Sequence, residues 1–83
     1  MKDFFKNDDK DRFEMTQSGE TVFANYRLNG QDLYIDYVFA PETLRGSGAA
    51  GRLMQKIVEY ADQNNLSITP VCGYAKHWLK RNS

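Results

Sequence analysis

Hydrophobic positions change period along this chain, from every second residue to every third or fourth and back again, and those changes predict its elements. After a charged opening segment, Phe13 and Met15 alternate with Glu14 and Thr16, the signature of a half-buried strand, and Ser18-Gly19-Glu20 supplies a turn. Val22, Ala24, Tyr26 and Leu28 repeat the alternation up to Asn29-Gly30, a dipeptide whose tolerance of positive φ suits a tight type I′ hairpin. The next run, Leu33 to Phe39, is apolar on both alternations except at Asp36, which predicts a central strand covered on both faces.

Ala40-Pro41-Glu42-Thr43-Leu44 interrupts the ladder, and beyond the glycine-bearing turn Arg45 to Gly48 the period changes. Ala50, Leu53, Met54, Ile57, Val58 and Ala61 form one stripe of an amphipathic helix whose polar face carries Arg52, Gln55, Lys56, Glu59 and Asp62. Gln63-Asn64-Asn65 ends it, and Leu66 to Cys72 alternates again as a fourth strand. A strand, a helix and a strand in that order predict a right-handed crossover with strand four parallel to strand three. Gly73 then opens a short helix from Tyr74 to Arg81. The expected class is α+β: a three-stranded antiparallel meander, a helix, a parallel fourth strand and a short C-terminal helix.

Composition narrows the function. Eighty-three residues, 41% hydrophobic and 27% charged, predict one domain over residues 1–83 with a single core. A chain this short buries only about 60% of the surface exposed on unfolding, so ligand or partner binding adds usefully to its stability. Eleven basic against eleven acidic residues give no net charge, which argues against nucleic acid and anionic membrane as partners. The lone Cys72 can form no internal disulfide, and Met1 to Lys6 holds no long apolar run; both favour the cytoplasm. Cys72 and His77 supply only two of the three or four ligands zinc takes, so no metal is expected.

The candidate chemistry lies in Arg45-Gly46-Ser47-Gly48-Ala49-Ala50. A glycine-rich turn leading from a strand into a helix presents unpaired N–H groups and the positive end of the helix dipole to an anion. Gly46 and Gly48 admit phosphate oxygens close to the backbone, small Ala49 and Ala50 keep the first turn open, and Arg45 adds a charge-assisted contact. The third glycine of a dinucleotide-binding fingerprint and the Gly-Lys-Ser/Thr ending of a nucleotide-phosphate loop are both missing. Taken alone, the glycines are equally consistent with helix packing.

Arg45 to Ala50 matches the Q/R-x-x-G-x-G/A acyl-CoA signature, and with Pro70-x-Cys72-x-Tyr74 downstream the chain resembles the GNAT superfamily of N-acetyltransferases over residues 12 to 82. It is most similar there to the small YjdJ-type subfamily. The resemblance implies an acetyl-CoA-dependent enzyme that acetylates an amine of an unidentified small molecule or protein, acting as a monomer or weak dimer. It implies CoA contacts along Val38, Phe39, Ala40, Arg45, Gly46, Ser47, Gly48, Ala49, Ala50, Cys72, Gly73 and His77, with backbone N–H groups at Val38 to Ala40 facing the thioester oxygen. It also implies splaying of strands three and four, and Pro70, which has no N–H, fits the point where that ladder opens.

Three side chains are catalytic candidates. Cys72 stands where the subfamily places a cysteine near the acyl group, as nucleophile, proton-transfer group or pocket lining; free cysteines also serve as small core residues. Tyr74 has the hydroxyl needed to protonate the departing thiolate, or packs at the helix start. Asp36 departs from the subfamily, which commonly has histidine in this segment; buried, with a raised pKa, it would serve as base, and otherwise it is a hydrogen-bonded strand residue. Full-length GNAT domains carry N-terminal helices that build the acceptor pocket, and the first dozen residues here do not supply two. The rival function is therefore CoA binding without efficient turnover, as a sensor or interaction module.

Overall fold

A computed structural model describes residues 4–82; Met1 to Asp3, part of the segment read above for a leader, and Ser83 lie outside the described residues. The class is α+β, with strands β1 (Phe4–Asn7), β2 (Arg12–Gln17), β3 (Glu20–Asn29), β4 (Asp32–Phe39) and β5 (Ser67–Pro70), and helices α1 (Ala49–Gln63) and α2 (Gly73–Arg81). The sheet runs β1-β2-β3-β4-β5, antiparallel up to β4 and parallel between β4 and β5. The expected three-stranded meander is thus four-stranded. The added strand β1 forms because Phe4 stacks on Phe13 at 5.8 Å and Lys6 lies over the Tyr26 ring at 5.3 Å, contacts from distant residues that override a charged local sequence.

The two hairpin turns differ in type, and the second is not the type expected for it. Ser18 and Gly19 both take positive φ, 53° and 76°, between the paired residues Gln17 and Glu20, the pattern of a type I′ turn. At the second hairpin Asn29 stays in the strand opposite Asp32, and only Gly30 takes positive φ, 64°. One positive φ at the first central position is the type II′ pattern, not the expected type I′.

Phe13, Val22, Ala24, Leu33 and Ile35 point to one face of the sheet and are fully buried beneath Leu53, Met54 and Ile57 of α1 and Ala75 of α2. A Schellman end closes α1: Asn65 takes φ 56°, and Leu66 N–H donates to Ala61 C=O at 2.8 Å. Both helices thus share one side. The other face is not covered, which corrects the expectation for β4: Tyr37 is 52% exposed beside Phe23 and Phe39. Its run of apolar residues reflects a surface aromatic cluster plus a register shift, since Asn25 pairs with Tyr37 and Tyr26 with Ile35, leaving Asp36 as the extra residue of a bulge.

Candidate functional site

The parallel pair β4–β5 opens where Pro70 falls. Its ladder runs from Asp32–Ser67 to Ile35–Pro70, after which Val71 and Cys72 both donate backbone N–H to Ile35 C=O, at 2.9 and 3.1 Å. There the chain leaves the sheet; β5 ends at Pro70, short of the expected Cys72, and Cys72 becomes the N-cap of α2. Strand β4 continues from Asp36 to Phe39 with only β3 as partner. A parallel pair that opens at its carboxyl end, with a helix beginning beyond each strand, is where open α/β sheets take ligands.

Both helix starts face that end with unsatisfied donors. Glu42–Leu44 forms one 3-10 turn, buried Leu44 anchors it, and Arg45 Nε donates to Ala40 C=O at 3.0 Å, tying the turn to the end of β4. Gly46 and Gly48 take φ of 83° and 87°, a conformation that costs other residues about 1–2 kcal/mol. Ser47 Oγ donates to Leu44 C=O at 2.6 Å and accepts from Ala49 N–H at 3.3 Å. Among the described residues the N–H groups of Gly48, Ala50 and Gly51 find no hydrogen-bond partner, and the first intrahelical bond of α1 is Arg52 N–H to Gly48 C=O at 3.0 Å. At α2 the first such bond is Lys76 N–H to Cys72 C=O, also at 3.0 Å, leaving Gly73, Tyr74 and Ala75 N–H as donors.

Arg52 is a residue that sequence reasoning assigned only to a polar helix face. Helical side chains lean toward the N-terminus, so its guanidinium folds back over the turn: Nη1 donates to Ser47 C=O at 3.4 Å and Nη2 to Gln17 Oε1. A Cβ on Gly48 would sit 3.3 Å from Nη1. A base four residues beyond the second glycine was the available signal.

The catalytic candidates separate. Half-buried Cys72 and the more exposed Tyr74 lie together at the start of α2, and the Tyr74 hydroxyl reaches the first turn of α1, 3.8 Å from where a Gly51 Cβ would stand. Burial pushes the Tyr74 phenol above its ordinary value, so at neutral pH it is a protonated donor. Of the two alternatives for Asp36, the structure shows the hydrogen-bonded strand residue. Arg27 Nε and Nη2 grip both carboxylate oxygens at 2.7 and 2.8 Å and hold its pKa below the usual carboxylate value despite partial burial. The raised pKa that would make it a base is therefore absent. His77 is exposed on α2 and makes no hydrogen bond or ion pair that ties it to the glycine turn. Among the described residues no group of three or more His, Cys, Asp or Glu side chains is placed to hold a metal.

A family model described as GCN5-related N-acetyl-transferase matches residues 12–83. Among solved structures, the chain is similar to the NMR solution structure of a GCN5-like candidate N-acetyltransferase from Staphylococcus aureus, with TM-score 0.73 and 26% identity over 99% of this chain and 83% of that one. No curated protein matches it.

Proposed function

This chain belongs to the GCN5-related N-acetyltransferase family, and on that premise we propose that it binds acetyl-CoA between β4 and β5 and transfers the acetyl group to an amine. The observation that carries the reading is the coincidence of three features at one edge: the ladder that stops at Ile35–Pro70, the glycine turn with its unpaired amides, and the Cys72–Tyr74 start of α2. In this reading Gly46 to Ala50 hold the pyrophosphate, which fits because the free N–H groups, the positive φ and the helix dipole all favour a close anion. Arg45 and Arg52 add positive charge beside it. The pantetheine arm follows the unpaired edge of β4, and those backbone N–H groups within Val38, Phe39 and Ala40 that point away from β3 face the developing oxyanion.

Transfer is direct. The attacking amine enters unprotonated, its nitrogen bonds to the thioester carbon as the carbon–sulfur bond breaks, the thiolate takes the Tyr74 proton, and the proton lost by the newly acetylated nitrogen passes to water, from which Tyr74 is reprotonated. Cys72 lines the acyl site or assists proton movement, since no base is paired with its thiol. Gly73 closes the cleft on the β5 side, and His77 lies further along the same helix. By the same reading residues 1–83 are one domain of the YjdJ-type subfamily, on the strength of Pro70-x-Cys72-x-Tyr74. We place the domain in the cytoplasm as a monomer or weak dimer.

One observation favours a second reading, CoA binding without turnover: Asp36 is held by Arg27 and His77 is exposed, so neither offers a base at the cleft. Calorimetric titration with acetyl-CoA, followed by a thiol-release assay over a panel of amines and peptides, separates the two. Binding with amine-dependent release of CoA supports the transferase. Binding without release supports the sensor, and no binding at saturating acetyl-CoA rejects both.

A further inference from the structure

We propose that Gly51 is a positioning residue for transfer: its missing side chain lets α2 close on the first turn of α1, and this contact sets the spacing between the glycine turn and the Cys72–Tyr74 start of α2. The inference rests on the reading of that cleft as the acetyl-CoA site.

Glycine is a poor choice for the third residue of a fifteen-residue helix. Nothing in the local backbone requires it, since the positive-φ glycines are Gly19, Gly30, Gly46 and Gly48. What requires it is the neighbouring helix. A Cβ on Gly51 would stand 3.2 Å from Trp78 Nε1, 3.9 Å from Trp78 Cδ1 and 3.8 Å from the Tyr74 hydroxyl. The first distance is closer than ordinary carbon contacts, so the indole, half-buried against the core, would have to give by a few tenths of an ångström.

Tyr74 and Trp78 are four residues apart and therefore lie on one face of α2, the face that meets Gly51. The helix is held at two further points: Cys72 N–H bonds Ile35 C=O at 3.1 Å, and Ala75 is fully buried. The start of α2 is fixed by β4 and its middle by the core, and in this inference the methyl group of Gly51→Ala is accommodated by a small tilt of α2 away from α1. That tilt moves Tyr74 relative to the unpaired amides of Gly48, Ala50 and Gly51 itself. An acyl-CoA whose pantetheine arm lies extended along β4 sets one spacing between pyrophosphate and thioester, so a shift of α2 misplaces the proton donor while the anion site stays intact.

The test compares wild type with Gly51→Ala, Trp78→Phe and the double variant. Phenylalanine removes the Nε1 atom that meets the new methyl group. We expect Gly51→Ala to lower kcat for amine acetylation by about tenfold to a hundredfold, the scale of an ångström-level misplacement, while the dissociation constant for CoA changes far less. The double variant should recover to within about threefold of Trp78→Phe, as expected when two changes act through one contact. A second readout needs no acetyl-CoA: the alkylation rate of Cys72 by iodoacetamide should change in Gly51→Ala and return in the double variant. A purely structural glycine would shift the melting temperature without this pattern of rescue.

Wild-type kcat in Gly51→Ala, or a double variant no better than Gly51→Ala, overturns the inference. If Gly51→Ala does not fold, the double variant decides: it folds and transfers if the contact is the cause, and an unfolded or inactive double variant rejects it. Absence of acetyl-CoA binding in wild type would overturn the functional reading, whereas an unchanged Cys72 alkylation rate in Gly51→Ala would overturn the helix-spacing inference by itself.

Discussion

The antiparallel half, β1 to β3, and the crossover half, β4 through α2, treat their backbone groups in opposite ways. In the first, the strands are paired along their lengths, and Phe13 is enclosed by the rings of Phe4, Tyr26 and Tyr60 at 5.8, 4.8 and 5.3 Å. In the second, the ladder stops midway along β4, two helix starts keep donors unpaired, and two glycines hold left-handed conformations. The fully buried core spans both halves, so what separates them is hydrogen bonding, closed in the first and left open for binding in the second. The division predicts that variants in the two halves fail differently.

The largest effect belongs to the closed half. Phe13→Ala should cost about 3–5 kcal/mol, much of what a domain of this size possesses, and urea unfolding should register it directly. Acetyl-CoA affinity per folded molecule should be nearly unchanged; a large loss of affinity would blur the division. Gly48→Val should do the reverse. Its Cβ enters a backbone at φ 87° and meets Arg52, so calorimetry should show at least about a tenfold loss of CoA affinity against a stability cost of about 1–2 kcal/mol. A folded Gly48→Val with unchanged affinity would leave the glycine a packing role only.

Tyr74→Phe tests the chemistry of the open half. Removing one proton donor should lower kcat by about a hundredfold, the lower end for general acid catalysis, with binding preserved. The pH profile supplies the sign. Burial raises the Tyr74 pKa above its ordinary value, so the active, protonated form persists through neutral pH and the wild-type rate falls only in strong alkali. The phenylalanine variant should lack this limb. The smallest effect is expected at Asp36→Asn: the carboxylate is already engaged by Arg27 on the uncovered face, so transfer should change by less than about twofold, as for other exposed ion pairs. A collapse of activity there would restore Asp36 as the base.

Much of this division is legible in residue patterns, and its failures have physical causes. Alternation located β2, β3 and β4, and the 3.6-residue stripe located α1 to within a residue, because both record a single buried face. Strand β1 escaped because four residues carry little pattern and its stability comes from Phe13 and Tyr26, distant in sequence. The uncovered face escaped because an exposed aromatic cluster and a buried strand look alike as a run of apolar letters. Asp36 stayed open between base and hydrogen-bonded strand residue for a related reason: its partner Arg27 is nine residues away, brought alongside only by the hairpin register. The glycine turn and Pro70 were readable because each constrains the backbone by itself.

The central claim is that acetyl-CoA occupies the opening between β4 and β5 with its phosphates on the glycine turn. An amide chemical-shift titration of the labelled protein with acetyl-CoA tests it most directly, since it detects binding and locates it together. The account predicts the largest shifts at Arg45 to Gly51 and Val38 to Ala40, a second group at Cys72 to Tyr74, and little change in β1 and β2. Shifts confined to the β1–β2 hairpin, or none at saturating acetyl-CoA, would contradict it.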